Sequence, residues 1–212
     1  MKTGVWGITM VGDEADIIGY TISHMITQVD VVMIADNLST DGTREIIEKL
    51  KSENPDRILI VDDNDPAHNQ GRKMTALANI AGREGAEVVI PFDADELVYS
   101  QVEGKTVKAL LSSSSTRVIS MPSWNHYCTA GDNQSEINPY RKMSWRNKDA
   151  SVMNKAAYWW SPHITIGEGN HLVMRHGSAI AGSEVGICIR HLPYRSPEQF
   201  VHKAVRGNRA LV

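Results

Sequence analysis

Hydrophobic positions in the first hundred residues fall into two kinds of segment. Short, continuous, largely β-branched runs occupy residues 5–11, 31–35, 57–61 and 88–92. A run of this length without polar alternation predicts a strand buried on both faces, as at the centre of a parallel sheet. Between the runs the apolar residues recur at three- and four-residue spacing. Ile18, Ile22, Met25, Ile26 and Val29 form one stripe, Ile46, Ile47 and Leu50 a second, and Met74, Leu77, Ala78 and Ala81 a third. Such stripes predict helices that bury one face, the second capped by Asp41 and the third spanning about residues 70–83. Four β-then-α units in sequence predict an α/β fold with a mainly parallel central sheet flanked by helices. Ligands then bind beyond the carboxyl ends of the strands.

The second half is patterned more loosely. Ser112–Ser115 is a short polar link; residues 117–121, 156–160, 171–174 and 185–190 read as strands, and 133–140 as a loop. Tyr158, Trp159 and Trp160 are expected to pack in the core. The clearest late signal is Ser196-Pro-Glu-Gln199, a capping box with proline at the first helical position, followed by the stripe Phe200, Val201, Ala204 and Val205. A chain of 212 residues fits a single domain, 1–212, with a first half to about residue 100 and a mixed second half.

Hydrophobic content of 42% and charged content of 22% are those of an ordinary globular chain. A formal net charge of −3 argues against a general nucleic-acid binder. Cys128 and Cys188 form no ligand-spaced cluster and are read as free thiols. The first apolar run is too short for a leader or a bilayer span, so a cytoplasmic location is expected.

Chemistry concentrates where the fourth run stops, at Asp93-Ala-Asp-Glu96. Two carboxylates one residue apart on extended chain point the same way. That pair suits a hard cation, Mg²⁺ or Mn²⁺, which shares its remaining positions with phosphate. The plainer reading is a set of loop or cap acids.

Residues 9–14, Asp36-Asn-Leu-Ser-Thr-Asp-Gly-Thr43, Gly71-Arg-Lys73 and Phe92-Asp-Ala-Asp-Glu96 resemble the successive strand-end motifs of family-two glycosyltransferases with the GT-A fold. The resemblance covers about residues 5–100. Residues 190–200 resemble the His-x-x-x-Arg/Lys-Ser-x-Glu-x-Phe close of related glycosyltransferases, and 101–188 match no motif. The resemblance implies a metal-assisted, inverting transfer of sugar from a nucleoside-diphosphate sugar, UDP-linked, to an acceptor it does not identify. Thr9, Glu14, Asp36 and Asn37 would then meet base and ribose, and Asp93 and Asp95 would hold the metal on the diphosphate. Arg72, Lys73 and Arg195 would be phosphate partners. Two departures leave the base open: Asp13-Glu14 where relatives have Asn-Glu, and Asp36-Asn37 where they have paired Asp.

Two further assignments are expectations. Glu168, between glycines that allow close approach, is the candidate catalytic base, against a solvated turn residue. His191, read as following a strand and preceding the capped helix, is the candidate third metal ligand, with His171 as fallback. Asp95→Asn is expected to remove metal-dependent donor binding and leave the fold intact. The rival readings are a haloacid dehalogenase-type phosphatase, whose strand also ends Asp-x-Asp, a sugar nucleotidyltransferase, and a non-catalytic nucleotide-sugar-binding module. Acceptor and oligomeric state stay unassigned.

Overall fold

The computed structural model describes residues 3–67 and 69–209, without the side chains of His202 and of residues 206–209. The first half runs β1 (Gly4–Val11), α1 (Ile18–Gln28), β2 (Val31–Asp36), α2 (Thr43–Glu53), β3 (Ile58–Asp62), α3 (Gln70–Arg83) and β4 (Ala86–Pro91). The second comprises β5 (Glu96–Ser100), α4 (Val107–Ser112), β6 (Val118–Met121), β7 (Ser123–Tyr127), α5 (Pro139–Lys142), β8 (Lys155–Trp159), β9 (Ile164–Ile166), β10 (Val173–Arg175), β11 (Ser178–Ala179), β12 (Ile187–Tyr194) and α6 (Pro197–Arg209).

The central sheet has the order β3-β2-β1-β4-β8-β6. Its first four strands are parallel, and β8 lies antiparallel to both β4 and β6. Alternate residues of one strand enter two different core clusters. Val32 and Ile34 pack with Ile22 and Met25 of α1, whereas Val31 and Met33 pack with Met74 and Leu77 of α3. Burial on both faces is why these strands read as unbroken apolar runs. Chain order reverses beside β1, with β2 on one side and β4 on the other. A crevice therefore opens between the ends of β1 and β4.

Several expectations are corrected. The fourth strand is not followed directly by a helix: residues 92–95 turn straight into β5, which joins a second sheet of order β5-β12-β7. Gly42, with φ of 95°, caps α2, and Asp41 instead accepts the Thr43 N–H at 3.0 Å. The stretch 133–140 contains the start of α5, capped by Asn138. β10 begins at Val173, so His171 precedes it. Half of the capping box forms: Gln199 N–H donates to Ser196 Oγ at 3.1 Å, while the Gln199 side chain accepts the Arg195 N–H at 3.2 Å rather than that of Ser196. Tyr158 is fully buried as expected. Trp160 lies so close to α3 that a Cβ added at Gly82 would meet its ring at 2.1 Å. Among the described residues no helix is long and apolar enough to cross a membrane.

Candidate functional site

A cleft of about 330 Å³ lies at the β1–β4 switch point, lined by Met10, Val11, Gly12, Glu14, Asn37, Gln70, Asp93, Ala94, Asp95, His191, Pro193 and Lys203. Two loops frame one side of it. Glu14 N–H donates to Thr43 Oγ1 at 2.8 Å, Ala15 N–H to Asp41 Oδ2 at 3.0 Å, and Thr40 N–H to Asp13 Oδ1 at 2.7 Å. The Ser39-Thr-Asp-Gly-Thr43 string thus builds the loop after β1 through its own side chains. Asn37 ties that frame to the loop after β3, donating to Asp63 Oδ2 at 3.0 Å and to the Asp65 carbonyl at 2.7 Å.

Asp95 is the carboxylate around which the cations of the site gather. It is buried, and Lys203 Nζ lies 2.8 Å and Arg195 Nη1 3.4 Å from Oδ2, with His191 Nε2 3.4 Å from Oδ1. Burial opposes its ionisation, but the His191 hydrogen bond and charge, with the Lys203 ammonium, outweigh burial and hold the carboxyl well below the usual range. His191 donates from Nδ1 to Asn125 Oδ1 at 2.8 Å, which turns Nε2 toward Asp95. Burial lowers the basicity of its ring, and Asp95 more than restores it.

Asp93 is held differently. Oδ2 lies 2.5 Å from Lys155 Nζ, and Oδ1 accepts from Gln70 at 3.0 Å and Asn170 at 2.8 Å. Its N–H donates to Oε2 of the fully buried Glu96 at 2.9 Å. Burial, then the neighbouring Asp93 charge, pushes the Glu96 carboxyl up. Lys155, whose side chain is only 5% exposed, answers both acids and also donates to the Gly169 carbonyl.

The remaining expected residues are distributed as follows. Glu14 lines the cleft; burial and then the Asp95 charge push its carboxyl up to about 7, against the opposing charges of Arg195 and Lys203. Thr9 is enclosed within β1, its hydroxyl without a hydrogen-bond partner among the described residues. Asp36 is buried and faces Arg44 at 3.5 Å. Arg72 pairs with Asp65 at 2.6 Å and Lys73 with Asp63 at 2.8 Å, so both hold the loop after β3 and neither lines the cleft. Arg195 is likewise enclosed, joined to Glu14, to Asp16 at 2.7 Å and to Asp95. Glu168 accepts the Gly71 N–H at 3.0 Å, at the first turn of α3, and does not line the cleft. The ring of His171 bonds the Asn154 carbonyl at 3.2 Å and is absent from the cleft wall. His191 does face the cleft, but from inside β12 rather than from a strand end.

Four participants escaped the sequence reading. Lys155 looks like an ordinary polar strand start, and Gln70, Asn125 and Asn170 carry no spacing signal. Lys203 was visible only as part of a basic tail. Among the described residues no three His, Cys, Asp or Glu side chains form a group able to hold a metal ion, so Asp93, Asp95 and His191 do not make a closed three-ligand centre. The pair Asp93 and Asp95 fits an open site, in which a hard cation would take its other ligands from substrate oxygens.

The model of one protein family, described as Glycosyl transferase family 2, matches residues 8–167. No curated protein matches the chain significantly. Among solved structures, the chain is similar to Staphylococcus aureus TarS 1-349 at 13% identity and a TM-score of 0.50, covering 98% of this chain and 65% of TarS. It is also similar to the mannosyltransferase PcManGT from Pyrobaculum calidifontis, solved with GDP-Man and Mn²⁺, at 23% identity and a TM-score of 0.43. That match covers 55% of this chain and 34% of the mannosyltransferase. The chain thus spans about two thirds of one of these structures and about one third of the other.

Proposed function

Because the chain belongs to glycosyl transferase family 2, we propose that it transfers a sugar, with inversion, from a UDP-linked donor to an acceptor and does so with Mn²⁺ or Mg²⁺. One observation carries this reading. Asp93 and Asp95 both face a cleft at the sheet's switch point, where open α/β sheets bind their ligands. Breaking the bond from sugar to diphosphate leaves growing negative charge on the leaving group. Lys203 and His191 stand in the cleft wall to offset it, and both are held there by Asp95. A cation bound by Asp93 and Asp95 would act as a Lewis acid on the same phosphates. Glu14 and Asn37, both on the cleft wall, supply the polar groups for base and ribose.

A dehalogenase-type phosphatase fits less well: its Asp-x-Asp motif ends the first strand, whereas Asp93-Ala-Asp95 follows β4. The test is thermal stabilisation by nucleoside diphosphates with and without Mn²⁺, followed by Mn²⁺-dependent hydrolysis of a panel of nucleotide sugars. Stabilisation by UDP that needs both Mn²⁺ and the Asp95 carboxylate supports the reading. Stabilisation indifferent to metal and to Asp95→Asn sinks it.

A further inference from the structure

Beside the cleft, and outside its wall, lies an aromatic rim that neither the core nor the donor site uses. The rim begins at Asn125, which holds His191 and faces it across the β7–β12 pairing. Side chains two apart on a strand share a face, so Tyr127 lies on the same face as Asn125, one step further along β7. The segment after α5 adds to the edge of β7, with Tyr127 N–H donating to the Trp145 carbonyl at 3.1 Å. The two rings lie 5.8 Å apart, tilted at 54°. Across the pairing, Tyr194 stands opposite Tyr127 and meets Phe200 of α6 edge-on at 5.4 Å. Phe200 is one helical turn from Lys203, which reaches Asp95 in the cleft.

Trp145 is 54% exposed, Phe200 51% and Tyr194 47%. Exposed singly such rings would mean little, but gathered into one patch they mark a surface suited to binding. Their arrangement selects the partner. Neither tyrosine hydroxyl has a hydrogen-bond partner among the described residues, so the surface offers ring faces interleaved with free donors. An acyl chain has no use for those hydroxyls. A pyranose ring presents axial C–H groups on one face and hydroxyls around its edge, and matches both.

We propose that this rim binds the acceptor and that the acceptor's receiving end is itself a sugar, stacked on Trp145 and Tyr127 beside the cleft. The proposal rests on the transferase reading for its meaning but not for its measurement. Saturation-transfer NMR on the unaltered protein would use methyl glycosides and disaccharides of glucose, galactose, mannose and N-acetylglucosamine as probes. Octyl glucoside would report whether contact runs through the sugar or through the alkyl chain.

The expected result is contact through the sugar C–H face for at least one probe. Trp145→Ala should weaken it at least about ten-fold, and Trp145→Phe, which keeps a ring, by less than about three-fold. Trp145 is exposed enough for both variants to fold, which an unchanged thermal transition verifies. No contact by any probe, contact through the octyl chain alone, or sugar contact that survives Trp145→Ala overturns the proposal. Nucleoside diphosphate binding, read separately, fails or succeeds independently, so loss of the transferase reading is distinguishable from loss of this one.

Discussion

Lys155 Nζ lies 2.5 Å from Asp93 Oδ2 although 62 residues separate them in the chain, and the ammonium is almost wholly enclosed. It is also the cation that faces Glu96, a fully buried acid at the start of β5. Among the described residues Lys155 is thus the one ion-pair partner that Asp93 and Glu96 share. Removing one partner of a buried ion pair leaves an uncompensated charge, at a cost of about 3–5 kcal/mol. Lys155→Met should lower folding stability by about that amount. The loss should shrink in acid, where Glu96 protonates. Urea denaturation of the variant at two pH values checks both; an equal loss at each would contradict the assignment.

Asp95 and Lys203 set up a competition. The ammonium donates to Oδ2 of the carboxylate that an incoming cation would need. Lys203 is about half exposed, so its attraction is worth only about 0.5–1 kcal/mol. Lys203→Met should raise Mn²⁺ affinity about two- to five-fold in the absence of nucleotide. Calorimetric titration with Mn²⁺ measures it, and weaker binding by the variant would show that Asp95 is not a metal ligand.

Asp95 also carries structural weight that its position in the sequence hid. With Arg195, His191 and Lys203 gathered around a buried carboxylate, Asp95→Asn should lower stability as well as donor binding. Metal-site mutants at this position therefore need a folding control.

Glu14 gives the metal-free protein a pH dependence. Its folded pKa of about 7 stands above the ordinary value of 4.5 because burial and Asp95 disfavour the charge. A carboxyl raised on folding contributes stability that is present below its unfolded pKa and is lost as pH rises through its folded pKa. Urea midpoints should therefore fall between about pH 4.5 and about pH 7, with a slope approaching one proton. Glu14→Gln should flatten that slope. An unaltered pH profile in the variant would place the titration elsewhere.

Asn37 lines the cleft while its amide spans the loops after β2 and β3. Asn37→Ala should weaken UDP binding by about 1–2 kcal/mol, roughly ten-fold, because a polar partner in an enclosed wall is lost. Isothermal titration with UDP checks it. Asp36→Ala should do less to binding, since Asp36 is turned toward Arg44.

The sequence by itself determined the first half of the fold and the position of its acids. Strands buried on both faces cannot tolerate polar alternation, and helices that bury one face must repeat every three to four residues. Those constraints are local, so β1 to β4 and α1 to α3 were legible, and with them the strand end at Asp93 and Asp95. Only the tertiary structure decided what surrounds those carboxylates. Lys155, Asn170, His191 and Arg195 reach them from strands and loops about 60 to 100 residues away, through pairings that leave no periodic trace. The same holds for charge: the resemblance made Arg72 and Lys73 phosphate partners, yet in the fold they pair with Asp65 and Asp63. Glu168, expected from its flanking glycines as a base, instead meets an orphan N–H at the start of α3. A side chain's chemistry is written in the sequence, but which partner satisfies it depends on distances that only folding sets.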